Sequence, residues 1–322
     1  MSEGSGREAD APRPRRWPLV VIVVLGLGLA AAPVAFSMFS RAPAGGTMID
    51  DFKPYMTAET LDEFRGYLDE IGAARDETTS SVEPALDDAE FAATYPQVAA
   101  FVEQWDGIDA DMTDMLDTID ANRGRFDGIA ALPPFALFPW FFVLPGLLLA
   151  LAAGLSLRRV GRGGRPYTVA LVVLGVGLLL APAVFQMFTR APGGQAMIAD
   201  FESLMTRERV TTIQGYFITI GAGEGQLRTG AVPAATEADP AAGFPAVAQL
   251  SEDWPAIVSE LSGMVGAMAD NLDNYEGIAA LPPFGLFPWF FVVPGVAVIA
   301  LALMARPRPT HRSQPQVPQE DP

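Results

Sequence analysis

Long apolar stretches alternate with long polar ones along this chain. Four stretches contain no Asp, Glu, Lys or Arg, at residues 17–40, 128–157, 166–189 and 277–305. Each is longer than the roughly 20 residues that an α-helix needs to cross a hydrocarbon core about 30 Å thick. We therefore predict four transmembrane helices, at residues 17–38, 135–157, 166–187 and 284–305.

Two polar segments, residues 39–134 and 188–283, lie between the members of each apolar pair, and apolar residues recur in them at helical spacing. The first segment contains one stripe of Leu61, Phe64, Leu68 and Ile71, and a second of Ile108, Met112, Met115, Leu116 and Ile119. On a helix the second stripe spans about 100° of arc. The stripes predict a helical-bundle domain in each segment, with loops near residues 76–88 and 225–243.

The second half of the chain repeats the first. Adding 149 to a residue number relates the halves without net insertion or deletion, and residues related in this way are called matched below. The stretch ALPPFALFPWFFVLPG at 131–146 returns as ALPPFGLFPWFFVVPG at 280–295, and 17 of the 19 positions from 128 to 146 are identical in the second half. The residues matched to the two stripes are all apolar: Val210, Ile213, Phe217, Ile220, Ile257, Leu261, Met264, Val265 and Met268.

The expected fold is therefore an all-α membrane protein that arose by tandem duplication. Its four transmembrane helices form two pairs, and each pair flanks one extracytoplasmic helical-bundle domain. Both repeats enter and leave the membrane on the same side, because each contains two crossings.

Charge is distributed unevenly, which predicts the orientation. The chain holds 21 Lys and Arg against 38 Asp and Glu, a net charge of −17. Residues 1–16, 158–165 and 306–322 hold 11 Arg and 5 acidic residues, which leaves 10 basic and 33 acidic residues elsewhere. Short Arg-rich loops stay in the cytoplasm, and the loop RRVGRGGR at 158–165 has four Arg and no acid. We predict a multi-pass plasma-membrane protein with a cytoplasmic basic amino terminus, a cytoplasmic Pro-rich tail and two acidic domains outside.

A cleaved signal peptide is the alternative interpretation of the first apolar stretch, because basic residues precede it. The matched stretch at 167–187 lies deep inside the chain, where it cannot be a signal peptide. We therefore expect the first helix to be retained.

Residue types for catalysis or metal binding are scarce. The chain has no Cys, and its only histidine, His311, lies in the Pro-rich tail. The acidic run at 105–120 does not fit a calcium loop of the EF-hand type, because Asp114 and Asp120 stand where Gly and Glu are required. Five of its aspartates lie opposite the apolar stripe and are matched by Pro255, Val258, Gly263, Gly266 and Ala269. We interpret them as a solvent-exposed helix face, and we expect no enzyme activity, no cofactor, no metal site and no binding of nucleic acid.

Arg41 and Arg190 are candidate interaction residues. They are matched in the motif S/T-R-A-P-x-G just outside the first and third predicted spans. An arginine in this position commonly reaches lipid headgroups and pairs with an acid of its own domain, and the matched Asp51 and Asp200 follow ten residues later. The alternative is recognition of a lipid phosphate or an anionic partner.

The repeated stretch supplies four more candidates, Pro139, Trp140, Pro288 and Trp289. The prolines suit the first turn of a span, and the tryptophans suit the outer headgroup level. Because 17 identities exceed what an aromatic belt demands, we expect the two repeats, or a partner, to meet at this stretch.

Within the spans, Gly26-x-Gly28 and the matched Gly175-x-Gly177 offer small surfaces for close helix contact. The predicted spans contain no ionisable residue, which argues against a solitary ion-coupled carrier. Together these features predict a non-catalytic membrane protein whose outer domains bind or scaffold a membrane or envelope protein, self-associate, or sense a ligand. The alternative is an accessory or pore-forming component of a membrane transport system.

Overall fold

The computed structural model describes residues 16–86, 91–159 and 165–305. These residues are predominantly helical and include no β-strand, in agreement with the all-α prediction. Most of the predicted cytoplasmic segments 1–16, 158–165 and 306–322 lies outside the described residues. The described residues form two compact units. The apolar unit comprises residues 16–38, 139–159, 165–187 and 286–305, and the polar unit comprises residues 39–86, 91–138 and 188–285.

The two halves contain closely similar series of helices. In the first half these are α1 Trp17–Ala35, α2 Met38–Phe52, α3 Ala58–Glu77, α4 Glu83–Leu86, α5 Phe91–Thr94, α6 Pro96–Ala130 and α7 Phe138–Arg158. In the second half they are α8 Arg165–Val184, α9 Met187–Asp200, α10 Arg207–Gln226, α11 Val232–Ala238, α12 Pro245–Asp270, α13 Leu272–Ala279 and α14 Trp289–Met304.

Four helical stretches of the described chain are long and apolar enough to cross a membrane, namely Trp17–Ala35, Phe135–Arg158, Pro166–Val184 and Phe284–Met304. They correspond to the four predicted spans. The first and third end before the predicted limits of 38 and 187, because the backbone turns at two matched residues with positive φ, Ser37 at 54° and Gln186 at 52°. Both halves therefore leave their first apolar helix through the same kind of turn.

In the apolar unit, helices α1 and α7 approach each other closely at a pair of glycines. A methyl group on Gly26 would lie 2.6 Å from the carbonyl oxygen of Gly146 and 2.8 Å from the amide nitrogen of Ala150. The prediction that Gly26 and Gly28 both offer a surface for close helix contact was only partly right, because a methyl group on Gly28 would meet nothing within 4 Å. Glycine is needed at position 26 because the two backbones are in contact there.

The second half repeats this contact between α8 and α14. A methyl group on Gly295 would lie 2.9 Å from the carbonyl oxygen of its partner Gly175. The two halves also meet directly, since the matched rings of Phe142 and Phe291 lie 4.7 Å apart between centroids and both are buried. These phenylalanines belong to the repeated stretch, so one contact between the halves lies within it.

In the polar unit, the two halves share one core, whereas the sequence led us to expect one bundle in each half. The four long helices are α3 and α6 from the first half and α10 and α12 from the second. Helix α3 packs against α6 and α12, and α10 packs against α12 and α6, so each long helix touches one helix of its own half and one of the other. A single continuous set of buried residues joins all four. One combined core buries a larger fraction of the apolar surface than two small cores would.

Both predicted apolar stripes face this core. Leu61, Phe64, Leu68 and Ile71 are buried, as are all five residues of the second stripe. Their matched residues are buried as well, except Phe217, which is half-buried. The predicted stripes are therefore confirmed.

The predicted loops at 76–88 and 225–243 are largely helical where the structure describes them. Helix α3 continues through a π-helical turn, Thr78–Val82, into α4, and α10 continues through Leu227–Ala231 into α11. Side-chain hydroxyls support these turns by donating to carbonyl oxygens one turn earlier, Thr78 to Ala74 at 2.7 Å and Thr229 to Gly225 at 2.6 Å. The loop prediction was wrong over these helical residues, because a threonine side chain can also donate back to the helix that contains it.

Each half caps a long helix of the other half. The side chain of Gln226, at the end of α10, accepts hydrogen bonds from the amides of Gln97 (2.8 Å) and Val98 (3.1 Å) at the start of α6. The matched Glu77, at the end of α3, accepts a hydrogen bond of 2.8 Å from the amide of Val247 at the start of α12. The cap residues Tyr95 and Phe244 provide no side-chain bond of their own. The first amides of both helices are therefore satisfied across the interface between the halves.

Replacement of Gln226 by alanine is expected to reduce the free energy of unfolding by about 1 kcal/mol, because two amide groups at the start of α6 lose their acceptor. Hydrogen exchange should show reduced protection at Gln97 and Val98, which are remote from the substitution in sequence. Gln104→Ala, at an exposed position of α6, is the control and should leave both amides protected. Loss of protection confined to α10 would contradict capping between the halves.

Candidate functional site

The polar unit encloses a cavity of about 60 Å³ that both halves line equally. Its walls come from α2, α6, α9, α12 and α13 and from the turns that follow α2 and α9. The lining residues are Met48, Ile49, Phe52, Tyr55, Met56, Met115, Ile119, Phe126, Met197, Ile198, Phe201, Leu204, Met205, Met264, Met268 and Tyr275. These sixteen residues form eight matched pairs. The two halves therefore contribute equivalent positions to the cavity wall.

Methionine is concentrated around this cavity. Seven of the twelve methionines of the chain line it, and three matched pairs are methionine in both halves: Met48 with Met197, Met56 with Met205, and Met115 with Met264. A methionine side chain has three rotatable bonds and a polarisable sulfur, so it adapts to contents of different shape and contacts aromatic rings favourably. The wall is apolar and deformable.

Tyr275 lines the cavity, and its hydroxyl group forms a hydrogen bond with the backbone. Its hydroxyl donates to the carbonyl oxygen of Ile198 over 2.5 Å. Burial, and secondly the charge of Glu202, raises the pKa of Tyr275 to about 12. The phenol therefore stays neutral at physiological pH and adds no charge to the cavity.

Two buried asparagines tie the halves together beside the cavity. The side-chain amide of Asn122, on α6, donates to Asp200 at 3.1 Å, and that of the matched Asn271 donates to Asp51 at 2.9 Å. Asn122 is 1% exposed and Asn271 is 0% exposed. Asp200 also pairs with Arg125 at 2.5 Å. Each polar pair joins one half to the other, as in an interface between two identical subunits.

A second matched pair of contacts involves two tyrosines. The hydroxyl of Tyr67 donates to Glu260 at 2.7 Å, and that of the matched Tyr216 donates to Asp111 at 2.7 Å. Arg209 reinforces the second contact by pairing with Asp111 at 2.5 Å. Burial is the main cause, and the bonded carboxylate the next, of a raised pKa at both tyrosines. Both phenols therefore remain donors at neutral pH.

Arginines of α3 form ion pairs with the acidic face of α6. Arg65 pairs with Asp117 at 3.0 Å and with Asp120 at 3.3 Å, and Arg75 pairs with Asp106 at 3.2 Å. The side chains of Asp106 and Asp117 are 78% and 63% exposed, so these pairs contribute little to stability. Within the described residues no group of three or more His, Cys, Asp or Glu side chains is placed to hold a metal ion.

The pKa values of two aspartates on this face are shifted in opposite directions. Burial, followed by the charges of Asp69 and Asp106, raises the pKa of Asp109. The hydrogen bond from Arg123, followed by that from Arg65, lowers the pKa of Asp120. Asp109 therefore favours folding at acid pH and this contribution is lost as the pH rises through its pKa, whereas Asp120 favours folding at neutral pH and this contribution is lost on acidification.

The arginines singled out in the sequence lie against the other half of the polar unit. Arg41 is half-buried on α2, and its Cγ would lie 3.9 Å from a methyl group on Gly277. Arg190 is half-buried on α9 and donates to the carbonyl oxygen of Ala131 over 3.5 Å. The suggested pairing of these arginines with Asp51 and Asp200 was wrong. Asp51 accepts a hydrogen bond from Asn271, and Asp200 accepts from Asn122 and pairs with Arg125.

The glycine of the R-A-P-x-G motif also contacts the other half. A methyl group on Gly45 would lie 3.2 Å from Cδ1 of Ile278, and one on the matched Gly194 would lie 3.1 Å from Cδ1 of Ile129. The motif recurs in both halves because the small residue lets α2 and α9 approach the helix that ends the opposite half's polar segment.

The four candidates from the repeated stretch lie in the apolar unit. Pro139 is the second residue of α7, Pro288 immediately precedes α14, and both are buried. Trp140 is 46% exposed and Trp289 is 53% exposed. Their proposed role at the headgroup level stays a prediction.

The sequence reading missed the cavity and the two asparagines. The signal for the cavity was the identity of methionine at matched positions, since methionine is easily replaced in an ordinary core. The signal for the asparagines was a polar residue matched in both halves in the last turns of an otherwise apolar stripe.

Comparison with known proteins gives no family to which the chain can be assigned. No protein-family model matches the sequence, and no curated protein is similar to it.

Proposed function

We propose that the chain is a non-catalytic, four-span plasma-membrane protein, derived by tandem duplication, whose polar unit lies outside the cell membrane as a binding module. The module binds or scaffolds a membrane or envelope partner, or senses a ligand. The cavity is the observation that carries this proposal, because both halves contribute to it equally through eight matched pairs of residues. A binding site built from both halves agrees with the single core that the two halves share.

The charge pattern supports the orientation. The loop at 158–165 carries four Arg and no acid, and the polar segments are strongly acidic. The positive-inside rule then places the loop in the cytoplasm and the polar unit outside. The four apolar helices, with their close glycine contacts, are the proposed anchor.

Single cysteines test the orientation directly, because the native chain contains no thiol. Ala73→Cys and Ala238→Cys place a thiol at exposed positions in the first and second halves of the polar unit. Both should react with a membrane-impermeant maleimide in intact cells, and Gly161→Cys in the basic loop should react only after permeabilisation. Labelling of Gly161→Cys alone in intact cells would contradict the orientation.

The binding role is tested on the whole protein extracted in native lipid nanodiscs. A stoichiometric companion, or a stable assembly of several copies, is the expected result. The transport alternative predicts instead that reconstituted protein raises the permeability of liposomes to ions or small solutes. That result, with no companion protein, would overturn the proposed function.

A further inference from the structure

We propose that the methionine-lined cavity is the binding site for a small, neutral, apolar ligand that contains an aromatic ring. This inference deepens the proposed binding role and rests on it, because it names the ligand class that the polar unit senses. The site consists of the eight matched pairs described above, and its lining includes no charged side chain.

The chemistry of the wall selects a neutral ligand. A cavity bounded only by apolar groups stays dry, so an entering apolar molecule displaces no tightly bound water. Met, Phe, Ile and Leu dominate the lining, and the hydroxyl of Tyr275 is already bonded to Ile198. An ionic ligand would lose its hydration without gaining a counter-charge.

The combination of sulfur and aromatic groups favours a ring over a saturated chain. Phe52 and Phe201 are matched lining residues, as are Phe126 and Tyr275, and seven thioethers lie among these rings. A bound aromatic ring gains contacts of both kinds, sulfur to ring and ring to ring.

The size of the cavity predicts that the wall moves. A cavity of about 150 Å³ admits benzene, whereas this one measures about 60 Å³. A xenon atom should therefore enter with little adjustment, and a ring should enter by rotating methionine side chains. The movable methionines come from both halves, so ligand binding changes the contact between the two halves. A sensor could transmit this change.

The thioethers could also suggest a soft cation such as Cu⁺, which such ligands prefer. Such an ion would bring a positive charge into a cavity whose lining includes no carboxylate. The neutral ligand is therefore favoured, and the soft cation is kept as an outcome of the test.

The test uses the full chain in lipid nanodiscs, with ¹³C-labelled methionine methyl groups observed by NMR. Benzene and xenon are the probes. Saturable shifts are expected at the seven lining methionines: Met48, Met56, Met115, Met197, Met205, Met264 and Met268. Met112 is the internal control, because it is buried in the same core without lining the cavity. Met38, Met187 and Met304 belong to the apolar unit and report probe dissolved in lipid.

Two substitutions sharpen the result. Ile119→Phe fills the cavity from one wall and should weaken benzene binding at least about ten-fold. Met112→Leu installs the residue that the second half has at the matched position, Leu261, and should leave benzene binding unchanged. If Ile119→Phe perturbs the fold, Ile119→Met, which copies the matched Met268, fills the cavity more gently and should weaken binding to a smaller extent.

Shifts confined to Met38, Met187 and Met304, or equal at all methionines, would overturn the proposal. So would saturable shifts of the seven methionines with Ag⁺ but none with benzene, since these would identify a soft-cation site. Cysteine labelling reports orientation independently of this measurement. A negative NMR result with the expected labelling would therefore reject the ligand and leave the membrane-anchored module standing.

Discussion

Replacement of Gly146 by leucine is expected to reduce the free energy of unfolding by about 3 kcal/mol or more. Even a methyl group at this position would lie 2.6 Å from the carbonyl oxygen of Gly26 and 2.7 Å from the amide nitrogen of Ala30. Both atoms belong to the backbone of α1, so a side-chain rotation cannot relieve the overlap. Helices α1 and α7 would have to separate, and the packing that holds apolar helices together in lipid would be lost.

The free energy of unfolding is measured by reversible unfolding of the reconstituted protein. Gly28→Leu and Gly154→Leu are the controls. These glycines lie on the same two helices, and a methyl group on either would meet nothing within 4 Å. Their substitution should be neutral or slightly stabilising, because leucine favours a helix more than glycine does. Equal effects of all three substitutions would show that α1 and α7 do not pack through Gly146.

Phe101→Ala should cost about 3–5 kcal/mol, as expected for a buried phenylalanine. The side chain of Phe101 is 0% exposed and lies edge-on to Trp105, with ring centroids 6.0 Å apart. It also touches the second half, because a methyl group on Gly223 of α10 would lie 2.5 Å from its Cβ atom. The cavity left by the ring would therefore weaken both halves at once.

Hydrogen exchange distinguishes a shared core from two separate ones. With Phe101→Ala, amide protection should fall in α10 and α12 as well as in α3 and α6, in one cooperative transition. Glu103→Ala, an exposed position two residues away, should change the free energy of unfolding by less than about 0.5 kcal/mol. A loss of protection limited to the first half would be inconsistent with the shared core.

The helices and their buried faces were predictable because the signal for each is local. A span is defined by its length and lack of charge, and a stripe such as Leu61, Phe64, Leu68 and Ile71 by its spacing along one helix. Both quantities are read from neighbouring residues, and the structure confirms four long apolar helices and the buried stripe residues. Matched positions in the two halves also identified Gly26 and Gly175 as small residues suited to close helix contact.

The cavity could not be predicted in this way. Its walls join residues such as Met48 and Met264 that are far apart in sequence, and its volume depends on small gaps between helices that already satisfy the apolar pattern. The methionines shared by matched positions indicate that the residue type is constrained there, but they do not indicate which space these side chains enclose.

The sequence by itself determined the number of apolar helices, the apolar faces of the polar segments and the correspondence between the halves. Only the tertiary structure decided which helix packs against which, and it paired α3 with α12 and α6 with α10 across the halves. The physical reason is that both halves carry the same stripes. A stripe on α3 is complemented equally well by α6 or by α12, so the hydrophobic pattern cannot tell pairing within a half from pairing between halves. Specific contacts break this degeneracy, among them the caps from Glu77 and Gln226 and the buried amides of Asn122 and Asn271, and these exist only once the chain is folded.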